Sequence, residues 1–331
     1  MRVIGKALFI AILGLAAFAM LLTKFGPRED ATLDFTFDAS AFGGDLDAYF
    51  AAQEAPFADI TPGTAKRVVW AGDPGQRTPL ALVYIHGFSA TSEEIRPVPD
   101  RLAEALGANL IYTRLTGHGQ PGNALGQATI PDWTRDTAEA IEAGKRAGEE
   151  VIVISTSTGG TLVAGAILKN PAMMDDVKGA IFVSPNMGIN APTAPLLTWP
   201  AARYWIGYVA GERLSFPSAN DDHATYWTRD YPTTALLPVA ALIRAVQDLD
   251  YDLAVVPALF WYSPDDQVVR AEETDKLVAG WNRGFASATA LSPVLTDADD
   301  PYAHVVAGDI LSPGQTDAAV AAMLSWIEGL N

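Results

Sequence analysis

The sequence has no cysteine, few charged residues and fewer basic than acidic ones. The lack of cysteine excludes disulfides, thiolate zinc sites and a cysteine nucleophile, and it leaves no cysteine to carry a lipid. Lys and Arg number 22 against 39 Asp and Glu, so the formal net charge is −17. A surface this acidic repels phosphate backbones, and we therefore expect no nucleic-acid partner.

Apolar residues, in contrast, are abundant along the whole chain. The 331 residues are 49% hydrophobic and only 18% charged, which argues against disorder beyond the ends. A chain of this length accommodates one large α/β domain with an insertion, or two small domains.

Residues 1–25 have the pattern of a signal anchor or signal peptide. Arg2 and Lys6 precede an uncharged run over 7–22, whose length lies between a signal-peptide core and a transmembrane helix. An uncleaved anchor is favoured, while a cleaved signal and a helix packed on the body stay open. Both an uncleaved anchor and a cleaved signal imply export. We therefore expect membrane attachment through this segment and a folded body outside the cytoplasm, periplasmic if the source is bacterial.

The rest of the chain alternates between strand-like and helical patterns. Residues 26–62 are predicted to be a linker and a segment leading into the core, which is assigned to 63–185 and 256–331. The alternation predicts a mostly parallel sheet with helices on both faces. Several runs are apolar throughout, as in strands buried on both faces. Seven strands are predicted, at 67–70, 80–85, 109–115, 151–154, 180–183, 258–262 and 289–295.

The interval 186–255 breaks this rhythm. It is rich in Trp, Tyr and Pro and is too long for a simple loop. We predict a mostly helical cap, or lid, inserted after the fifth strand. Its aromatic rings suit a pocket for an apolar group, or they pack the cap onto the body.

The strongest chemical signal is Ser155-x-Ser157-x-Gly159, which follows a buried strand and precedes a helix. A serine hydroxyl becomes an effective nucleophile when a base takes its proton and a sharp strand-to-helix turn projects its oxygen. The usual pattern is Gly-x-Ser-x-Gly, and Ser155 occupies the first glycine position. We predict Ser157 as the nucleophile; the alternative is a plain helix N-cap.

A second signal, His86-Gly87-Phe88, follows the strand at 80–85. Acyl transfer needs donors for a developing oxyanion, and the N–H groups of Phe88 and Thr158 stand at matching places. Gly87 would let the backbone approach the substrate closely. We expect His86 to brace this loop rather than to act as the base.

Two adjacent aspartates, Asp265 and Asp266, follow the sixth predicted strand. A carboxylate at this edge of the sheet can orient an imidazole, or both can be turn residues. Of four histidines, only His304 follows both Ser157 and these aspartates. The chain order Ser, Asp, His agrees with one arrangement of the catalytic triad, so we predict His304 as the general base.

Other polar residues are expected to be structural. His118 is interpreted as a structural histidine, and the spacing within 221–223 is poor for a metal, so no metal site is predicted. The aspartates within 297–300 are expected to form a solvated loop beside His304; the alternative is that they raise the pKa of His304 or bind a cation.

Over 67–330 the chain resembles α/β-hydrolase-fold serine esterases and lipases of the monoacylglycerol-lipase and carboxylesterase type. The resemblance rests on the motifs around His86, Ser157 and His304, on Asp266-x-Val268, and on 115–119. It implies Asp266 as the acid, an eight-stranded sheet, a mobile cap, no cofactor and an acyl-enzyme. The implied substrates are carboxylic esters, and the cap's aromatic rings favour apolar acyl or glycerol esters.

Three alternatives stay open. An aminopeptidase or a thioesterase would share the acyl-enzyme chemistry, and a non-catalytic binding protein could keep the fold. The oligomeric state is not predicted.

Overall fold

A computed structural model describes residues 2–330 and is built around a mixed β-sheet. The strands of the described chain are β1 (Arg67–Val69), β2 (Thr78–Ile85), β3 (Asn109–Tyr112), β4 (Gly148–Thr156), β5 (Val177–Val183), β6 (Arg213–Ser215), β7 (Asp230–Pro232), β8 (Ala258–Trp261) and β9 (Ala288–Leu291). The main sheet has seven strands in the order β1-β3-β2-β4-β5-β8-β9. Its strands pair in parallel except β1, which is antiparallel to β3. Strands β6 and β7 form a separate antiparallel ribbon.

Helices cover both faces of the main sheet. The α-helices of the described chain are α1 (Arg2–Phe25), α2 (Leu46–Glu54), α3 (Val98–Leu106), α4 (Gly122–Leu125), α5 (Ile130–Ala147), α6 (Thr158–Lys169), α7 (Ala202–Ala210), α8 (Asp221–Tyr226), α9 (Leu236–Gln247), α10 (Ala271–Trp281) and α11 (Thr316–Glu328). Short 3₁₀ helices lie at Ala39–Phe42, Pro171–Met174, Ala194–Thr198, Thr233–Ala235, Tyr251–Leu253 and Pro313–Gln315.

Strand β4 shows how the sheet organises the core. Val151 and Val153 point to one face and join the cluster that contains α5 and α6. Ile152 and Ile154 point to the other face and join the cluster that contains α3 and α11. Because successive side chains of a strand alternate between faces, an apolar run is required wherever both faces are covered.

The central strands β2 and β4 end at the same edge of the sheet. They run parallel, with Ile85 opposite Ser155, so the chain leaves both strands on one side. The segments that follow, beginning at His86 and at Ser157, are therefore neighbours. This edge is where the sequence places its candidate chemistry.

All seven strands predicted from apolar runs are confirmed, but the eighth strand implied by the resemblance is wrong. In the described chain, the segment ahead of β1 forms the 3₁₀ turn at Ala39–Phe42 and helix α2 instead. Asp38 and Asp45 cap these two elements through their side chains. An aspartate N-cap satisfies free backbone N–H groups and favours a helical start over an extended strand.

The chain between β5 and β8 forms a mostly helical insertion, as predicted, together with the β6–β7 ribbon, which the sequence did not indicate. Helix α9 belongs structurally to the body, because Val239, Leu242 and Val246 lie in the same core cluster as α6. The limits 186–255 for a functional cap stay a prediction.

Helix α1 leads into a segment that is held by the insertion. The Ala201 N–H donates to the Pro27 carbonyl at 2.6 Å, and Arg203 donates two hydrogen bonds to the Glu29 carboxylate, at 2.9 and 2.6 Å. Large apolar side chains of α1 such as Phe9 are exposed. Within residues 2–330, no helix was found with the length and apolarity that crossing a bilayer requires.

Candidate active site

Ser157 lies on a sharp turn between β4 and α6. Its backbone has φ 50° and ψ −117°, a region that side chains rarely adopt and that turns the hydroxyl away from the chain. Two glycines allow helix α6 to pack this closely. A Cβ on Gly159 would collide with the Ile85 carbonyl oxygen, and one on Gly160 would lie 2.8 Å from the Cβ of Pro185.

The departure from the usual motif at Ser155 has a structural reason. This side chain is fully buried in β4, and its hydroxyl donates to the Ile181 carbonyl of β5 at 3.1 Å. A serine is small enough for the turn, and its hydroxyl has a hydrogen-bond partner there. The serine in place of glycine therefore does not disturb the sharp turn between β4 and α6, the nucleophile elbow.

The structure brings together the three side chains that the sequence nominated. His304 Nε2 lies 3.0 Å from Ser157 Oγ, and His304 Nδ1 lies 2.7 Å from Asp266 Oδ2. All three residues are buried. This geometry lets the imidazole accept the hydroxyl proton at Nε2 while the carboxylate holds Nδ1–H.

Backbone groups fix Asp266 in this position. Its Oδ1 accepts hydrogen bonds from the N–H groups of Val268 at 2.8 Å and Val269 at 2.9 Å, which leaves Oδ2 for the imidazole. The neighbouring Asp265 is exposed instead. The choice of Asp266 over Asp265 therefore agrees with the contacts.

The surroundings of His304 favour a proton on the ring. Burial lowers the pKa of His304, but the Asp266 carboxylate, aided by Asp300 and Glu94, outweighs it and raises the pKa above its usual value. The imidazolium that forms when the ring accepts a proton is thereby stabilised.

The loop after β2 offers the predicted oxyanion donors. A Cβ on Gly87 would lie 3.0 Å from the Cβ of Ser157, so the backbone here approaches the nucleophile as closely as glycine permits. Phe88 N–H, on this loop, and Thr158 N–H, at the start of α6, make no hydrogen bond within residues 2–330. Both donors are thus available to a substrate oxygen.

His86 braces this loop, as predicted. Its Nε2 accepts the Leu115 N–H at 3.1 Å, so Nδ1 carries the proton and donates to the Gly87 carbonyl at 2.9 Å. Burial lowers the pKa of His86 to about 4, with Arg114 also lowering it. A neutral, doubly bonded imidazole is well suited to a structural role.

The expectation of a solvated loop at 297–300 is wrong for two of its aspartates, because Asp299 and Asp300 are buried. Asp300 Oδ2 accepts the N–H groups of His304 at 3.1 Å and Val305 at 2.9 Å. Asp299 accepts the Thr296 N–H and hydroxyl. The two carboxylates shape the loop that presents His304, which spacing alone does not reveal.

The remaining histidines have structural surroundings. His118 is fully buried, and its Nδ1 donates to the Thr116 carbonyl at 3.2 Å. His223 Nδ1 accepts the Ala219 N–H at 3.0 Å. Among the described residues, no group of three acidic or histidine side chains is arranged to hold a metal ion.

Two buried polar features escaped the sequence analysis. Glu94 lies beside the loop over 86–89, which we name the oxyanion loop after its predicted role, and the Gly87 N–H donates to its Oε2 at 2.6 Å. Lys66 donates to Asp136 at 2.9 Å and also to Glu139, and all three side chains are nearly inaccessible. In the sequence, Glu94 is marked only by its place in the acidic pair Glu93-Glu94, six to seven residues after Gly87. Such pairs are common on exposed helices and do not indicate a buried carboxylate.

The sheet topology, the elbow and the convergence of Ser157, His304 and Asp266 define a serine hydrolase of the α/β-hydrolase fold. Residues 77–284, more than half of the chain, match the family described as serine aminopeptidase, S33 (Hydrolase_4). The chain belongs to this family. It is 26% identical over 202 residues to the thermostable monoacylglycerol lipase of Bacillus sp. (strain H-257), a match that covers 61% of this chain and 76% of the lipase.

Solved structures share the fold. One described for LipS and LipT, two metagenome-derived lipolytic enzymes, aligns with a TM-score of 0.65 at 18% identity and covers 82% of this chain and 99% of its own. A soluble variant of monoglyceride lipase from Saccharomyces cerevisiae aligns with a TM-score of 0.57 at 12% identity, covering 81% and 92%. The predicted resemblance to α/β-hydrolase esterases and lipases is confirmed.

Proposed function

We propose that this protein hydrolyses carboxylic esters with apolar acyl groups, including glycerol esters, through an acyl-enzyme on Ser157. The observation that carries the proposal is the continuous path from Ser157 Oγ to His304 Nε2 at 3.0 Å and from His304 Nδ1 to Asp266 Oδ2 at 2.7 Å. Such a path activates a hydroxyl that is otherwise a weak nucleophile.

In the acylation step, His304 Nε2 takes the proton of Ser157 while Oγ attacks the ester carbonyl carbon. The carbonyl oxygen gains negative charge and rests on the N–H groups of Phe88 and Thr158. The imidazolium then gives its proton to the alcohol oxygen as the C–O bond breaks. Asp266 stabilises the positive ring throughout the step.

In the deacylation step, a water molecule takes the place of the alcohol. His304 removes its proton as the water oxygen attacks the acyl carbon of the ester on Ser157. Collapse of the second tetrahedral intermediate returns the proton to Ser157 Oγ and releases the carboxylic acid.

The preference for apolar esters is supported by the rings around the oxyanion loop. The Phe88 ring packs edge-on against Tyr231 of the insertion and against Trp133 of α5, with centroid separations of 5.3 and 6.3 Å. The Bacillus relative, a monoacylglycerol lipase by name, supports a glycerol ester. An apolar acyl chain beside these rings would leave water favourably.

We also propose that residues 186–255 act as a cap that regulates access to Ser157. Ser157 is only 6% exposed, and the Thr228 N–H donates to the Ser89 carbonyl of the oxyanion loop at 2.7 Å. A movement of the segment around Thr228 and Tyr231 would open the site to a long acyl chain.

A panel of substrates tests the reaction and its acyl preference. Purified protein is assayed against nitrophenyl esters from acetate to palmitate, a monoacylglycerol, an acyl thioester and an aminoacyl nitroanilide, with Ser157→Ala as the background control. The proposal predicts ester hydrolysis that rises with acyl length before it declines. Cleavage of the aminoacyl nitroanilide alone would establish an aminopeptidase instead, and a preference for the thioester would establish a thioesterase.

We propose, finally, that residues 1–25 attach the protein to a membrane with the catalytic body outside the cytoplasm. The proposal is supported by the basic residues Arg2 and Lys6 ahead of an uncharged run and by exposed apolar side chains on α1. Exposed aromatic residues lie on the insertion: Trp199 and Tyr204 line a cavity together with Pro27, just after α1, and Tyr208 lies on the same helix as Tyr204. Trp and Tyr are favoured at the membrane–water interface.

A further inference from the structure

A buried carboxylate lies directly behind the oxyanion loop. Glu94 is 2% exposed, and its Oε2 accepts the Gly87 N–H at 2.6 Å and the Tyr84 hydroxyl at 3.0 Å. The side chain presses against Gly87, because a Cβ on that glycine would lie 2.6 Å from Glu94 Oε1. Glu94 therefore holds the loop that carries Phe88 N–H from behind, in addition to the hydrogen bond that His86 makes with the Gly87 carbonyl.

This carboxylate also joins the loop to the nucleophile's strand. The Tyr84 hydroxyl lies 3.0 Å from Thr156 Oγ1, and Thr156 immediately precedes Ser157. Burial, together with the charge of Glu94, raises the pKa of Tyr84 well above its usual value, so this phenol keeps its proton. Tyr84 then donates to Glu94 and accepts from Thr156, which links the two halves of the oxyanion hole through one chain of hydrogen bonds.

We propose that Glu94 is a positioning residue of the reaction, which fixes the oxyanion loop through the Gly87 N–H and stabilises the His304 imidazolium with its negative charge. The inference rests on the proposed function, because it gives Glu94 a task in the same site. Glu94 touches no reacting atom and acts through the loop and through the field at the imidazole.

The groups that face Glu94 decide its charge. Burial raises the pKa of Glu94 to about 7, although the Gly87 N–H, His304 and Tyr84 each lower it. Tyr84 contacts it from β2, and a positive charge on His304, on the loop that Asp300 shapes, acts on it across the site. The adjacent Glu93 turns away and pairs with Arg96 at 2.8 Å and with Arg67 at 3.5 Å. His304 is thus the cationic group whose charge Glu94 senses in the site.

The direction of the coupling follows from these contacts. An ionised Glu94 raises the pKa of His304, and the reaction needs a neutral imidazole in the free enzyme. Removing the negative charge lowers the His304 pKa, so activity persists to lower pH. Removing this charge also destabilises the His304 imidazolium in the transition state, so kcat on the pH-independent plateau falls.

Glu94→Gln is the test, because an amide oxygen can still accept the Gly87 N–H while the charge is gone. The readout is kcat/KM for nitrophenyl butyrate between pH 5 and 9, with product measured after quenching to one pH. The acid limb should shift to lower pH by about half a unit or more, with a plateau kcat roughly three- to tenfold lower. Glu93→Gln is the matched control and should leave the profile unchanged.

A structural role alone would lower the thermal midpoint or the rate without moving the acid limb. An unchanged limb in a folded Glu94→Gln protein, or an equal shift in Glu93→Gln, overturns the inference. If Glu94→Gln does not fold, Tyr84→Phe replaces it. Loss of the Tyr84 hydroxyl raises the pKa of Glu94, so Glu94 stays protonated and uncharged to higher pH. The acid limb of the activity profile should then shift to lower pH, by less than in Glu94→Gln.

The two proposals fail in different ways. Full activity of Ser157→Ala would remove the proposed function and this inference together. An inactive Ser157→Ala beside a Glu94→Gln profile identical to wild type would remove the inference alone.

Discussion

Two identical side chains, Asp265 and Asp266, differ in surroundings because of the backbone that follows them. Asp266 accepts the N–H groups of Val268 and Val269 through one oxygen and faces His304 with the other. Asp265 is exposed. Residue types alone left both candidates open, and the resemblance to esterases selected Asp266; the contacts give the physical reason, and the catalytic role itself stays a prediction.

Asp266→Asn should lower kcat by about 10⁴-fold, because an amide nitrogen can donate to Nδ1 and select the wrong imidazole tautomer. Asp265→Asn, an equivalent change one residue earlier, should leave kcat within about twofold of wild type. Steady-state ester hydrolysis at pH 8 measures both. Equal losses in the two variants would contradict the assignment of Asp266.

Glu94 shows what residue-level analysis misses. It lies just ahead of helix α3, which begins at Val98. A glutamate is most often solvated at such a position, and only the fold reveals that this one is buried against the oxyanion loop.

At the scale of elements, the loop after β3 is tied to α5 by buried charges. Asp136 of α5 accepts the Thr116 N–H and hydroxyl, both at 2.7 Å, and also binds Lys66. Burial raises the pKa of Asp136, but Lys66 and Thr116 outweigh it and lower the pKa below its usual value. The loop that contacts His86 through Leu115 therefore depends on an ion pair formed far from it in the sequence.

Lys66→Met should lower the free energy of unfolding by about 3 kcal/mol or more, because Asp136 and Glu139 lose their buried cation. Lys276→Met removes a comparable but exposed pair with Glu273 and should change stability by less than about 1 kcal/mol. Urea denaturation followed by tryptophan fluorescence measures both. The account of this network is wrong if the two variants unfold at the same urea concentration.

Elements were predictable where one physical requirement dominated. Strand β8 and the central parts of β2 and β4, at 81–85 and 151–154, are apolar and buried because both faces of the sheet are covered there, and that pattern is readable from the sequence. The three-residue strands β6 and β7 carry no such pattern, since they form a small ribbon away from the main sheet. The eighth strand was implied by the resemblance alone. The described chain ahead of β1 forms helical turns instead, which Asp38 and Asp45 cap.

At the scale of the whole molecule, the N-terminal segment and the insertion form one surface. Arg28 donates to the Thr198 carbonyl at 2.7 Å, and Arg203 binds Glu29, so the chain leaving α1 is fixed to the insertion. Tyr208, on α7, is 91% exposed. If α1 is held at a membrane, the insertion lies beside it, and a substrate dissolved in that membrane is close to the proposed cap.

Deletion of residues 2–25 should move the protein from the membrane fraction to the soluble fraction without changing kcat on a short-chain ester. On the proposal, the apolar side chains of α1 bind the membrane and take no part in the triad. Cell fractionation and vesicle flotation measure the distribution, with Leu13→Arg as a full-length variant that interrupts the apolar run. Identical fractionation of all three proteins would contradict membrane attachment.

The central claim is that Ser157 is the nucleophile activated by His304 and Asp266. Its most direct test is a fluorophosphonate probe, which reacts with an activated serine hydroxyl, followed by mass spectrometry of the labelled peptide. The account predicts one adduct, on Ser157, that is lost in Ser157→Ala and strongly slowed in His304→Ala. An adduct on another residue, or equal labelling of wild type and His304→Ala, would contradict it.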